Sequence, residues 1–189
     1  MSVPRLAAVL FDMDGTLVDT EEESGEALVR VFQARHGVTL GAEALDVVVG
    51  AAWDDAIQEL CGRFRIDETD PAGLKAALLR SKEELLAGRL RVLPGASEAV
   101  RAAATRWPVA VVTGSWAGEA EYALDALGVR ARVDLVVASE DVGEGKPSPE
   151  GYVKAAAALG AEPGACLVIE DSVRGVAAGR AAGARVLAV

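Results

Sequence analysis

Asp12 and Asp14 stand two positions apart in Asp12-Met13-Asp14-Gly15-Thr16, directly after an apolar run that ends at Phe11. Three further polar groups follow apolar runs later in the chain. They are Thr113-Gly114-Ser115 after Val109–Val112, Lys146 in a loop after Val133–Ala138, and Glu170-Asp171 after Cys166–Ile169. Together they offer one ammonium, hydroxyls and up to four carboxylates. Carboxylates gathered at one place repel and need a counter-charge to stay ionised. A divalent cation supplies it, and magnesium accepts hard oxygen ligands from one or two carboxylates while leaving room for a phosphate oxygen. A carboxylate at such a site can attack phosphorus and become an aspartyl phosphate. Asp12, directly behind the strand and most rigidly held, is the candidate nucleophile. Asp14, which an extended chain points to the same side, is the candidate to protonate the leaving oxygen and then take a proton from the attacking water. Gly15 permits a turn that presents backbone N–H groups to phosphate oxygens. Thr113 can donate to phosphate, and Lys146 can offset charge that builds during transfer.

These groups are far apart in sequence, so a fold has to gather them. The pattern predicts strands over Leu6–Phe11, Val109–Val112, Val133–Ala138, Cys166–Ile169 and Arg185–Val189. Helices are expected over Ser97–Arg106, from Trp116 to a stop at Gly128, from Ser148-Pro149 to Gly160, and from Val173 to Gly183. Strand followed by helix, repeated, is the signature of an α/β doubly wound parallel sheet with helices on both faces. Ligands of such sheets sit beyond the carboxyl ends of the strands, where the four polar groups fall. From Leu17 to Val92 the rhythm is helical and no strand is expected. Thr20 and Glu23 have the capping-box form before a helix that stops at Gly37. A weaker helix is expected over 42–49. Another runs from Trp53 to Phe64, with Trp53, Ile57 and Leu60 on one face. A fourth runs from Asp70-Pro71 to about Arg89. The organisation is therefore a catalytic core of residues 1–16 and 93–189, with an all-helical domain of residues 17–92 inserted by two crossings.

Composition excludes several classes of partner. The chain has 189 residues, is 51% hydrophobic and carries 19 bases against 29 acids, a net charge of −10. Such a chain fills one core, and its sign opposes nucleic acid and anionic membranes. The helical insertion has 15 acids and 9 bases, which favours a small monophosphate over a polyanion. Cys61 and Cys166 lie in helical and strand patterns and read as packing residues of a reducing cytosol. No apolar run reaches membrane-spanning length and no leader pattern opens the chain, so a cytoplasmic protein is expected. The last strand would leave a sheet edge, which fits a monomer or a weak homodimer. His36 reads as structural at a helix C-terminus. Trp53 leans towards core. Arg63, Arg65, Lys82, Arg89 and Arg91 read as solvated charges, one of which could meet a second acidic group on a substrate.

Asp12-Met13-Asp14-Gly15-Thr16-Leu17-Val18-Asp19 resembles the first motif of the haloacid dehalogenase-like hydrolases. Thr113 resembles their second motif, Gly145-Lys146-Pro147 their third, and Glu170-Asp171-Ser172 with Gly175 and Gly183 their fourth. The four occur in order across essentially the whole chain. The resemblance is to the phosphoglycolate phosphatase and beta-phosphoglucomutase branch and implies a Rossmann-like core with a helical cap that closes over the site. It implies Mg²⁺ as cofactor, with Asp12 as nucleophile and metal ligand. Asp14 would be acid/base and bind the metal through its backbone carbonyl, and Asp171 with Glu170 would complete the metal site. Thr113 and Lys146 would hold phosphate, with Gly15, Thr16, Gly114 and Ser115 around it. The implied activity is a phosphatase for a small phosphorylated metabolite of sugar phosphate or phosphoglycolate type. The family's dehalogenases lack the second aspartate, so Asp14 favours phosphoryl transfer. Beta-phosphoglucomutases carry a histidine where Ser24 stands and an arginine where Trp53 stands, which favours water over a sugar as the final acceptor. The alternatives are a phosphomutase, or a non-catalytic phospho-acceptor of receiver type, although receivers carry their acceptor after a middle strand and have no helical insertion.

Overall fold

The computed structural model describes residues 5–41, 53–86, 88 and 90–189. In chain order the elements are β1 (Ala8–Phe11), β2 (Val18–Asp19), α1 (Glu21–His36), α2 (Trp53–Phe64), α3 (Pro71–Leu86), β3 (Arg91–Val92), α4 (Ala96–Ala104), β4 (Val109–Val112), α5 (Ala117–Ala126), β5 (Leu135–Val137), α6 (Glu150–Ala158), β6 (Cys166–Glu170), α7 (Val173–Ala181) and β7 (Arg185–Ala188). Five strands form a parallel sheet in the order β5-β4-β1-β6-β7. β1 lies at its centre, with Val9 opposite Val109 on one side and Leu167 on the other. Every residue of β1 and β4 is buried, so these strands are unbroken apolar runs instead of alternating ones.

Alternation along β1 builds two apolar layers. Val9 and Phe11 pack with Val100 of α4 and Leu124 of α5 on one face. Ala8 and Leu10 pack with Tyr152 of α6 and Ala178 of α7 on the other. The expected doubly wound α/β sheet is therefore present. β7 forms one edge of the sheet, with Leu187 exposed. No helix among the described residues is long and apolar enough to cross a membrane.

The helices between β2 and β3 share an apolar cluster of their own. Leu28, Val31 and Phe32 of α1 meet Leu60 of α2 and Leu74 and Leu78 of α3, with Trp53 and the core residue Trp116 at one end. The local signals set the ends of these helices. Gly37 closes α1 in the left-handed conformation at φ 68°. Asp70 caps α3 by accepting from the Gly73 amide at 2.9 Å.

Three expectations need correction or restriction. Two strands do occur between Leu17 and Val92, because β2 and β3 pair antiparallel with Val18 opposite Val92 and Asp19 opposite Arg91. Each is two residues long, too short to print an alternating pattern. Thr20 occupies the N-cap position of α1 but makes no side-chain cap bond: its backbone, at φ −132° and ψ 6°, is not in the extended conformation of a capping residue, and its hydroxyl is directed to Asp14, to which it donates. The expected helix over 42–49 and the end of the fourth helix at Arg89 lie outside the described residues.

Leu10 is 1% exposed on the central strand. Leu10→Ala should lower unfolding free energy by about 3 kcal/mol, read from urea denaturation, through lost burial and the cavity left behind.

Candidate active site

The carboxyl ends of β1, β4 and β6 meet at one rim, and the loop that follows β5 and carries Lys146 reaches the same place. β1 delivers Asp12, whose amide donates to the Ile169 carbonyl of the neighbouring strand at 2.9 Å. Lys146 donates from Nζ to Asp12 Oδ1 and to Glu170 Oε1 and so bridges the ends of β1 and β6. Asp12 Oδ2 is buried without a hydrogen-bond partner. Carboxylate oxygens of Asp12, Glu170 and Asp171 lie within 4.8 Å of one another. The Asp14 carboxylate is not in that group.

Glu170 is fully buried. Its Oε1 accepts from Lys146 and from the Tyr152 hydroxyl at 3.0 Å, and its Oε2 accepts from the Ser172 amide and hydroxyl, both at 2.9 Å. Both oxygens are thus engaged within the protein. Asp171 is less committed, accepting from the Thr16 hydroxyl at 3.2 Å. Two glycines make room for these acids. A Cβ at Gly15 would lie 2.1 Å from Asp171 Oδ2, and one at Gly175 would lie 1.6 Å from Glu170 Oε1. Gly15 also adopts φ 84°, and its amide donates to the Val18 carbonyl within the turn.

Asp14 has a separate environment. Its Oδ1 accepts from Thr20, and its Oδ2 accepts from Ser115 at 2.7 Å and from Thr113 at 3.2 Å. Thr113 Oγ1 also accepts from the Ser115 amide at 2.9 Å. Ser115 thus joins the site. Gly114 touches the helical insertion, its carbonyl accepting from the Trp53 amide at 3.3 Å. A hollow of about 20 Å³ is lined by Thr113, Gly114 and Lys146.

The two aspartates titrate differently. Burial pushes the Asp12 carboxyl up to about 7; the Lys146 ammonium opposes the rise, and the Glu170 and Asp14 charges add to it. Burial acts on Asp14 in the same direction. There it is overcome by the Lys82 ammonium and the hydroxyls of Thr20, Ser115 and Thr113, which hold the carboxyl below the ordinary range. Burial also lifts Asp171, with the Glu170 charge adding to it.

Lys82 is the residue that sequence reasoning misplaced. It was expected to be a solvated charge, yet it is 3% exposed. Its Nζ lies 2.7 Å from Glu119 Oε1 and 3.9 Å from Asp14 Oδ1. Glu119, not singled out by sequence, also accepts from Trp53 Nε1 at 3.1 Å and from the Trp116 amide at 3.0 Å. Trp53 stacks on Trp116 at 5.3 Å and is buried, as its apolar helix face suggested. Arg91 pairs with Asp19, Glu22 and Glu23.

Gly175→Ala should displace Glu170 from Lys146. A loss of about 2 kcal/mol or more is expected in chemical denaturation, because a buried charged network loses its geometry.

Comparison with known proteins agrees with this geometry. The family model described as haloacid dehalogenase-like hydrolase matches residues 6–183. The chain is 34% identical over 175 residues to the validoxylamine A 7'-phosphate phosphatase of Streptomyces hygroscopicus subsp. limoneus, covering 92% of this chain and 81% of that protein. It is 33% identical over 179 residues to the fructose-1-phosphate phosphatase YqaB of Escherichia coli, covering 95% and 94%. Among solved structures, CbbY of Rhodobacter sphaeroides in complex with xylulose-1,5-bisphosphate superposes with a TM-score of 0.83 at 27% identity, covering 96% of this chain and 84% of that one. The chain belongs to the haloacid dehalogenase-like hydrolases.

Proposed function

We propose that the protein is a Mg²⁺-dependent phosphatase that hydrolyses a small phosphorylated metabolite through an aspartyl phosphate on Asp12. As a member of this family with phosphatases among its relatives, it is a phosphoric monoester hydrolase. The observation that carries the mechanism is the state of Asp12. One of its carboxylate oxygens is fixed by Lys146, the other is buried with no hydrogen-bond partner, and the carboxylate lies within 4.8 Å of those of Glu170 and Asp171.

The donor set fits Mg²⁺. The oxygens are hard, they converge, and Asp12 Oδ2 lacks a partner that a cation would provide. Asp12, Asp171 and the backbone carbonyl of Asp14 would hold the ion. Glu170, with both oxygens engaged, positions Lys146 instead of binding directly. When bound, the ion supplies positive charge against the phosphoryl oxygens.

In the first step an Asp12 carboxylate oxygen forms a bond to phosphorus while the bond from phosphorus to the leaving oxygen breaks. Asp14 gives that oxygen its proton. Lys146 stabilises negative charge on the transferring group. Thr113, Gly114 and Ser115, with Gly15 and Thr16 opposite, surround the phosphoryl position. In the second step water attacks phosphorus, its proton passes to Asp14, and the acyl phosphate bond breaks to return the Asp12 carboxylate and free inorganic phosphate. The hydroxyls and Lys82 that favour the ionised form of Asp14 suit its accepting role in the second step and oppose its donating role in the first, which requires Asp14 to enter the cycle protonated. Residues 17–92 serve as the cap over a core of 1–16 and 93–189, and the antiparallel pairing of β2 with β3 supports that boundary. Closure of such a unit excludes bulk water from the acyl phosphate.

Asp12→Asn should lower the rate of phosphate release from p-nitrophenyl phosphate by a factor on the order of 10³ or more with circular dichroism unchanged. Retained turnover would remove Asp12 as the nucleophile. Chelation should stop release by the wild-type protein and added Mg²⁺ restore it. Asp14→Asn should slow alkyl phosphates more than p-nitrophenyl phosphate, since a poor leaving group depends most on protonation. An equal loss for both esters would remove Asp14 as the acid.

A further inference from the structure

Asp14 also lines a cavity of about 350 Å³ between α3 and α5, a volume in the range of small-molecule sites. Most of its wall is apolar, from Met13, Val18, Leu79, Leu86, Leu90 and Ala123. Its charged lining is Asp14, Lys82, Glu83 and Glu119, three carboxylates to one ammonium. Lys82 is the one cation among the described residues that line it, and its charge is already engaged by Glu119 and Asp14. Glu119 is in turn fixed by Trp53 Nε1 and the Trp116 amide, so the pair is a built part of the wall.

We propose that this cavity receives the alcohol portion of the phosphate ester. It selects an uncharged portion with an apolar face, and it rejects substrates that carry a second anionic group such as a carboxylate or another phosphate. The inference rests on the phosphatase reading, because Asp14 is the residue that the cavity and the reaction share. An apolar face on the leaving group gains by burial against the leucines. A second anion would meet the carboxylates of Glu119 and Glu83, and the one cation among the described lining residues, Lys82, is already paired. Drawing Lys82 towards that anion would strip Asp14 and Glu119 of their buried partner. Discrimination arises from this repulsive element as much as from the apolar wall. Within the proposed substrate class, esters of neutral polyols or cyclic alcohols are favoured over phosphoglycolate-type acids and bisphosphates.

The test pairs binding with turnover. The Asp12→Asn protein, in Mg²⁺, is titrated calorimetrically with phenyl phosphate and with 4-carboxyphenyl phosphate, which differ by one carboxylate. Phenyl phosphate should bind more tightly by about ten-fold, as expected when a second anion is set beside the largely buried Glu119 carboxylate and the exposed Glu83 carboxylate at the rim. Glu83→Lys, a change at an exposed position on α3, should narrow that gap several-fold. Leu79→Asp should weaken phenyl phosphate binding. Equal or tighter binding of the carboxylated ester, or a gap unmoved by Glu83→Lys, overturns the inference. Phosphate release by the wild-type protein is measured on the same two esters. Release from neither would overturn the phosphatase reading, while the binding order would still decide what the cavity accepts.

Discussion

A single buried ammonium holds the carboxyl ends of this sheet together. Lys146 joins Asp12 at the end of β1 to Glu170 at the end of β6, two carboxylates that would otherwise repel across neighbouring strands. Removing one partner from such a buried arrangement costs about 3–5 kcal/mol, because it strands the remaining charges. The surrounding residues are arranged around this contact. Tyr152 and Ser172 complete the hydrogen bonds of Glu170, and Gly175 supplies the space its side chain occupies. Burial, Glu170 and Asp14 raise the proton affinity of Asp12 even in the presence of Lys146, so the site retains uncompensated negative charge. An acidic rim with one open carboxylate oxygen suits a cation and the phosphoryl group that accompanies it.

A second buried lysine gives the two aspartates different surroundings. Lys82 comes from the helical insertion and meets Glu119 and Asp14 of the core. Lys82 helps to hold Asp14 down, whereas burial drives Asp12, two residues away, up. The same contact links catalysis to selectivity. The lysine that tunes Asp14 is also the one cation among the described residues that line the adjoining cavity.

What the sequence disclosed follows from the range of the forces involved. The Asp12–Asp14 pair, Glu170-Asp171, both ends of α2 and the start of α3 were legible because an apolar run, an acid or a cap acts over a few residues. The gathering of Asp12, Lys146, Glu170 and Asp171 followed from the parallel topology, which sends every strand's carboxyl end to one rim. Contacts settled by tertiary packing were not legible. Lys82 looks like any helical surface lysine until α3 is laid against α5 and Glu119 appears opposite it. Thr20 and Glu23 have the spacing of a capping box, and only the folded chain reveals that the Thr20 hydroxyl is directed to Asp14. β2 and β3 escaped notice because two residues carry no periodicity.

The central claim is that Asp12 becomes phosphorylated within the ring formed by Lys146, Asp171 and a divalent ion. It is tested most directly by acid-quenching a single turnover of the wild-type protein with Mg²⁺ and a phosphate monoester, then mapping the phosphoryl group by peptide mass spectrometry. The account predicts a transient acyl phosphate on Asp12 that appears before inorganic phosphate and decays as phosphate is released. Inorganic phosphate formed without any labelled Asp12, or a phosphoryl group found on another residue, would contradict it.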